Sequence, residues 1–188
     1  FETVKWHDGS PLSAGDFVMN MILSFDPGKT ESKMYDEALA LSINATLSAF
    51  KGYRIVSTDP LTIEAYSDTY NTNAELNILT LWPQDLYGLG YENSWPVLAV
   101  SNLAEVNGEL AYSEDKAGAL EVEQTNWVGG PSLEVLGKYL DQAATESHIP
   151  YAATMSQFVT KEEADLRYAN LKQWVADHGH YMVGTGPY

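Results

Sequence analysis

Residues 4–18 have the sequence VKWHDGSPLSAGDFV, in which the signals for a strand, a turn and a helix follow one another. Apolar and polar side chains alternate over residues 4–7, which predicts a short strand, and an Asp-Gly pair then supplies a tight turn. Ser13 and Asp16 have the spacing of a capping box, in which a hydroxyl and a carboxylate satisfy free amides at a helix N-terminus. A strand that turns directly into a capped helix predicts mixed α and β structure.

Apolar residues that recur every three or four positions predict several helices along the chain. The first runs from the capping box to an Asp-Pro-Gly stop at residues 26–28, and others are expected over residues 34–50, 73–81, 97–103, 132–144 and 160–178. The last of these begins with a second capping box and is expected to end near Gly179, because glycine is favoured just beyond a helix C-terminus. One further strand is expected over residues 119–122.

The clearest pair of strands lies over residues 53–57 and 61–66, on either side of an Asp-Pro turn. Both segments carry β-branched or aromatic residues at alternate positions, which predicts a hairpin. The chain has no internal repeat and no heptad pattern. We therefore expect an α+β fold in which a small antiparallel sheet is covered by helices, with residues 1–188 forming a single domain.

The composition excludes several classes of protein. Hydrophobic residues make up 45% of the 188 residues, which is enough to build a core, but no apolar run approaches the roughly 20 residues that cross a bilayer. Ten Lys and Arg against 26 Asp and Glu give a formal net charge of −16, which disfavours a nucleic-acid partner, since phosphates are bound by cationic side chains. The absence of cysteine excludes thiol catalysis and thiolate metal sites.

The histidines do not form a recognisable catalytic or metal-binding pattern. His178 and His180 are close enough in sequence to meet one metal ion, but no third ligand has a fitting spacing. His7 is adjacent to Asp8, and neighbouring residues of a strand point to opposite faces. His148 lies in a connecting segment and is predicted to be at the surface. We expect no catalytic residue, no metal site and no cofactor.

Tryptophans in loops rich in glycine and proline are the candidate ligand contacts. Aromatic rings in such positions stack on sugars or form pockets for peptide side chains. The candidates are Trp82, Trp95 and Trp127.

Three segments, in the same order, resemble landmarks of the family 5 extracellular solute-binding proteins, the dipeptide and oligopeptide receptors of ABC importers. Residues 4–18 are similar to the signature V-K-F-H-D-G-x-P-[LF]-[ST]-A-x-D-V-V. Residues 56–64 resemble the hairpin pattern V-x-x-x-D-x-x-T-V-x, and residues 183–188, VGTGPY, resemble the turn V-G-T-G-P-[FY]. The first segment departs from the signature at Trp6, Gly15 and Phe17. Residues 71–156 match no landmark.

The resemblance implies a fragment of a type II periplasmic-binding-protein-like fold, from the cluster of such proteins that has an extra domain. Residues 1–188, between the VKWHDG and VGTGPY landmarks, would be that small domain, which supports a lobe and contributes few or no ligand contacts. The implied partners are the remaining lobes of the parent protein, an ABC permease that docks to the full-length protein, and a peptide or other small solute. The implied location is extracytoplasmic, in the periplasm or at the cell surface, and the implied role is not enzymatic.

Three other interpretations stay open at this point. Related family members bind oligosaccharides, and the loop tryptophans favour that variant. An extracellular carbohydrate-active enzyme or module would need two carboxylates near an exposed tryptophan, and Glu121 with Glu123 would lie on one face of a strand. An acidic face could also bind a basic patch on a partner protein.

Overall fold

The structure is a computed structural model that describes residues 3–70, 72, 73, 75 and 93–186. Its helices in the described residues are α1 (Ala14–Leu23), α2 (Glu37–Ala49), α3 (Trp95–Val106), α4 (Glu114–Leu120), α5 (Ser132–Glu146), α6 (Ala152–Met155) and α7 (Lys161–His178). The strands are β1 (Phe50–Thr58), β2 (Leu61–Ser67), β3 (Leu110–Ala111) and β4 (Glu123–Gln124). This composition confirms an α+β protein with a small antiparallel sheet.

The N-terminal segment follows the predicted order of turn and helix. The expected strand over residues 4–7 is reduced to a single antiparallel bridge between Lys5 and Pro11, closed around the turn. Ser13 then precedes α1, which ends at Leu23. A short 3-10 helix, Asp26–Gly28, follows at the predicted Asp-Pro-Gly stop.

Helix α3 lies at the centre of the core and packs against α1, α5 and α7. Every residue from Trp95 to Asn102 is buried, and most of them are apolar, in keeping with a helix surrounded by the core. The predicted helices α5 and α7 cover it with their apolar faces, and α7 ends at Gly179 in the left-handed conformation (φ 75°), as expected.

The hairpin of β1 and β2 is antiparallel, as predicted, and pairs Ile55 with Ile63. No residue of either strand is fully buried, and one face is half-buried while the other faces solvent. Its main aromatic anchor is formed by Phe25, Phe50 and Tyr53, with the two phenylalanine rings 4.9 Å apart. The helices therefore pack mainly on one another and only in part on the sheet.

Two predicted elements differ from the structure. Helix α2 begins at Glu37, after Asp36 has capped its N-terminus, and its sequence runs straight into β1 instead of ending near residue 52. The strand expected over residues 119–122 is wrong, because α4 extends to Leu120 and β4 begins only at Glu123, paired in parallel with β3. The helix predicted over residues 73–81 lies almost wholly outside the described residues.

Candidate functional site

Two segments that lie 177 residues apart in sequence are hydrogen-bonded to each other at His7 and Gly184. The His7 backbone N–H donates to the Gly184 carbonyl at 2.8 Å. The Gly184 N–H donates to His7 Nδ1 at 3.3 Å, and His7 Nε2 lies 2.6 Å from the Gly186 carbonyl. Since Nδ1 accepts here and a carbonyl can only accept, this pattern assigns the neutral ring with its proton on Nε2. We call the contact between residues 7 and 184–186 the junction.

The other side of the junction is an aromatic cluster on α7. The His7 ring stacks on Trp174 with centroids 5.8 Å apart, and Trp174 stacks on His178 at 3.7 Å. His180 meets Trp174 edge-on at 5.6 Å. His178 and His180 therefore belong to a packed cluster, and the part of the chain that the structure describes contains no group of three side chains placed to hold a metal ion.

The carboxylate of Asp16, at the start of α1, is buried and accepts hydrogen bonds from several elements. Its Oδ1 accepts from the Trp95 backbone N–H at 2.9 Å and from Arg167 Nη2 at 2.6 Å. Its Oδ2 accepts from the Ser13 N–H at 2.9 Å and from Trp6 Nε1 at 3.1 Å. We call Asp16 and Arg167 together the buried ion pair.

Arg167 comes from α7 and is fully buried. Its Nη1 donates to the Pro11 carbonyl at 2.6 Å, so the guanidinium holds the N-terminal loop as well as α1. One turn earlier on α7, burial raises the pKa of Glu163, while hydrogen bonding to Ser13 and the charge of Arg167 act in the opposite direction. The buried ion pair therefore holds α1, α3 and α7 together, because both of its charged groups form hydrogen bonds within the protein.

The two candidate ligand contacts within the described residues are buried, one in a helix and one in a loop. Trp95 is the first residue of α3 and is fully buried, with its ring packed edge-on against Tyr168. Trp127 is 8% exposed, and its Nε1 donates to Ser101 Oγ at 2.9 Å. Both residues are thus part of the hydrophobic core. Trp82 lies outside the described residues.

The carboxylates proposed for the enzyme alternative do not share a strand. Glu121 ends α4 in the left-handed conformation (φ 56°), and Glu123 belongs to β4. Both are exposed, but the backbone between them turns, so the expected pair on one strand face is wrong. The surface position expected for His148 is also wrong, since the residue is half-buried and burial lowers the pKa of its imidazole.

Sequence reasoning identified Asp16 only as a helix cap and missed its ion pair with Arg167. A signal was present on α7, where Arg167 lies beside the apolar series of Ala164, Tyr168 and Leu171 and is therefore on the buried face. A charge on a buried face requires a partner of opposite charge. The sequence does not indicate which of the 26 acidic residues provides it.

The chain was compared with known proteins. No protein-family model matches it, and no curated protein matches it. Among the described residues, no helix combines the length and the apolar character that crossing a membrane requires.

Proposed function

We propose that this chain is the supporting domain of an extracytoplasmic solute-binding protein of the family 5 type, which captures peptides for import by an ABC transporter. The observation that carries the proposal is the junction. Residues 4–18 and 183–188 resemble two landmarks of that family, and the first segment meets residues 184–186 of the second, because His7 is hydrogen-bonded to Gly184 and Gly186.

The junction suits a domain that is inserted into a larger protein, because it brings two distant segments of the chain together. When two connections lie next to each other, a domain attaches to the rest of a protein at one base and keeps its own core, which is why inserted domains are tolerated. The buried ion pair of Asp16 and Arg167 holds the segment just after His7 rigidly against α3 and α7. This fixed attachment supports the proposed structural role of the domain.

The proposal is tested by calorimetric titration of the product of the complete reading frame. We expect saturable heat from a pool of four- to six-residue peptides and none from a pool of oligosaccharides. The 188-residue chain alone should bind the same peptides at least a hundredfold more weakly, because the lobes that close on the solute would be elsewhere.

Other outcomes of this titration contradict the proposal. Saturable heat from oligosaccharides alone would assign the saccharide variant. Hydrolysis of the oligosaccharide pool, measured as new reducing ends, would assign an enzyme. Heat from neither pool would remove the solute-binding function.

A further inference from the structure

Three of the four histidines lie together at the junction, around the ring of Trp174. His7 comes from the N-terminal loop, His178 is the last residue of α7, and His180 lies in the segment that follows. Histidine is the side chain whose charge ordinarily changes between about pH 5 and pH 8. A contact that needs the neutral form of such a ring is therefore sensitive to pH, and the partner atoms of each ring show whether this is so.

The ring of His7 lies directly on the backbone of Gly184. A Cβ atom on Gly184 would lie 3.2 Å from His7 Cε1, so glycine permits this close approach. Both ring nitrogens are engaged, because Nδ1 accepts from the Gly184 N–H at 3.3 Å and Nε2 donates to the Gly186 carbonyl at 2.6 Å. A second proton, on Nδ1, would face the Gly184 N–H, and two donors form no hydrogen bond. Only the neutral ring fits this contact.

His180 binds the same C-terminal segment in the same way. Its Nδ1 accepts from the Met182 N–H at 3.2 Å. The backbone amides of Met182 and Gly184 thus both donate to imidazole nitrogens that carry no proton. Protonation of the two rings removes both acceptors, and a backbone N–H at the surface then donates to water instead.

His178 differs from the other two histidines of the cluster. Its Nδ1 lies 3.1 Å from the Trp174 carbonyl, which can only accept, so Nδ1 already carries a proton and Nε2 can bind another without loss of this bond. A positive charge is also favourable at the C-terminus of a helix and over an indole ring. Protonated in place, His178 puts a positive charge on a ring 6.1 Å from that of His180, and like charges at such a distance repel each other.

The other charged groups near the junction, within the described residues, are balanced in number. The N-terminal loop carries Lys5 and Asp8, and the last two turns of α7 carry Lys172 and Asp177. Burial raises the pKa of Tyr181 to about 12, so its hydroxyl stays neutral. The two acids favour protonation of nearby imidazoles and the two lysines oppose it. The histidines themselves are therefore the groups whose charge changes in mildly acidic solution.

We propose that the junction is a pH-sensitive contact, which is closed when His7 and His180 are neutral and opens at residues 184–186 when these rings are protonated. Val183 stays in place on opening, because it is buried and its N–H donates to Asn93 at 3.0 Å. The change is therefore local. It goes beyond the proposed function, and its consequence for a parent protein rests on that function: mild acid would loosen the base at which the domain is attached.

NMR spectra of the 188-residue chain at pH 7.5 and pH 5.0 test this proposal. At pH 7.5 the His7 Hε1 and Gly184 Hα hydrogens should give a nuclear Overhauser signal, because the ring lies on the glycine. At pH 5.0 this signal should weaken. The protection of the Gly184 amide against exchange, corrected for the intrinsic effect of pH, should fall about fivefold through the loss of one hydrogen bond. Unchanged signal and protection, or unfolding of the whole chain by circular dichroism, overturns the proposal.

Two variants separate the roles of the rings. Glutamine does not titrate and carries both an acceptor and a donor, so His7→Gln should remove the pH dependence of Gly184 protection. His178→Gln, the same change at the other exposed histidine of the cluster, is the matched control and should keep the dependence. If His7→Gln does not fold, His7→Asn is the second variant, with the same expected result. A folded His7 variant that keeps the full pH dependence overturns the proposal.

This inference and the proposed function fail separately, because the NMR titration contains no peptide. A junction that stays closed at pH 5.0, in a complete product that gives heat with the peptide pool, contradicts the pH-sensitive contact alone. A junction that opens at pH 5.0, in a product that gives no heat with peptides, contradicts the proposed function alone.

Discussion

At the scale of single residues, the carboxylate of Asp16 does more than cap its own helix, because it also accepts hydrogen bonds from residues far away in the sequence. It accepts from the backbone of Ser13, which caps its own helix, from the Trp6 side chain before it, and from Trp95 and Arg167 on two other helices. Both members of the buried ion pair are removed from water, so each depends on the other for compensation of its charge.

Asp16→Asn should destabilise the protein by about 3–5 kcal/mol, the usual cost of leaving one charge of a buried pair unpaired. Urea unfolding followed by circular dichroism measures this change. The matched control is Asp165→Asn, on the exposed side of α7, where a change below about 0.5 kcal/mol is expected. Equal effects of the two substitutions would show that the pair does not anchor the helices.

Glu163 gives the stability a dependence on pH. Burial raises the pKa of Glu163 above its ordinary value of 4.5, so the folded state favours the protonated carboxyl. The folded state then binds more protons than the unfolded state in the window above pH 4.5, and stability falls as pH rises through the folded pKa. Glu163→Gln stays neutral and should therefore be more stable than the wild type at pH 7, with the advantage shrinking towards pH 4.

Unfolding free energies of the two proteins from pH 4 to pH 7 measure this effect. Glu162→Gln, the same substitution at the exposed neighbouring position, is the matched control and should keep the wild-type slope. A Glu163→Gln protein with the wild-type slope would contradict the effect of burial on this carboxyl.

At the scale of elements, α1 approaches its neighbours closely at Gly15. A Cβ atom at this position would lie 2.5 Å from Val159 Cγ2 and 3.5 Å from the Trp95 ring. Val159 is buried just before α7 and cannot easily retreat. This contact gives a packing reason for glycine at position 15.

Gly15→Ala should destabilise the protein by about 1–3 kcal/mol, because it overpacks a filled contact. Gly118→Ala, in the middle of α4, meets nothing within 4 Å and should instead stabilise the protein by about 0.5–1 kcal/mol through helix propensity. Thermal unfolding of both variants measures the opposite signs. Stabilisation by Gly15→Ala would show that α1 has room to move away from Val159.

At the scale of the whole molecule, the net charge of −16 acts against compaction. Salt screens repulsion between surface carboxylates, with a Debye length of about 10 Å at 0.1 M. The urea midpoint at pH 7 should therefore rise when NaCl is increased from 20 mM to 200 mM. The control is the same pair of measurements at pH 4.4, the sequence pI, where the rise should largely disappear. A midpoint that does not respond at pH 7 would show that the acidic residues are too dispersed to repel one another.

Local signals in the sequence determined much of the secondary structure. The caps at Ser13 and Thr160, the Asp-Pro turn of the hairpin and the glycine after α7 act within a few residues, and the structure places each as predicted. Such signals need only the neighbouring backbone, which is why they can be read without the fold. The strand over residues 119–122 failed because a short apolar run fits either a helix end or a strand.

The tertiary structure alone decided which residues meet. The sequence did not reveal the pairing of Asp16 with Arg167, the burial of Trp95 and Trp127, or the half-buried position of His148 beside a cavity. These features depend on contacts between residues that are far apart in the chain, and apolar character or charge at a position does not specify its partner. The sequence by itself determined the α+β class and the helix and strand signals, whereas the packing of α1, α3 and α7 decided how the junction and the buried ion pair are built.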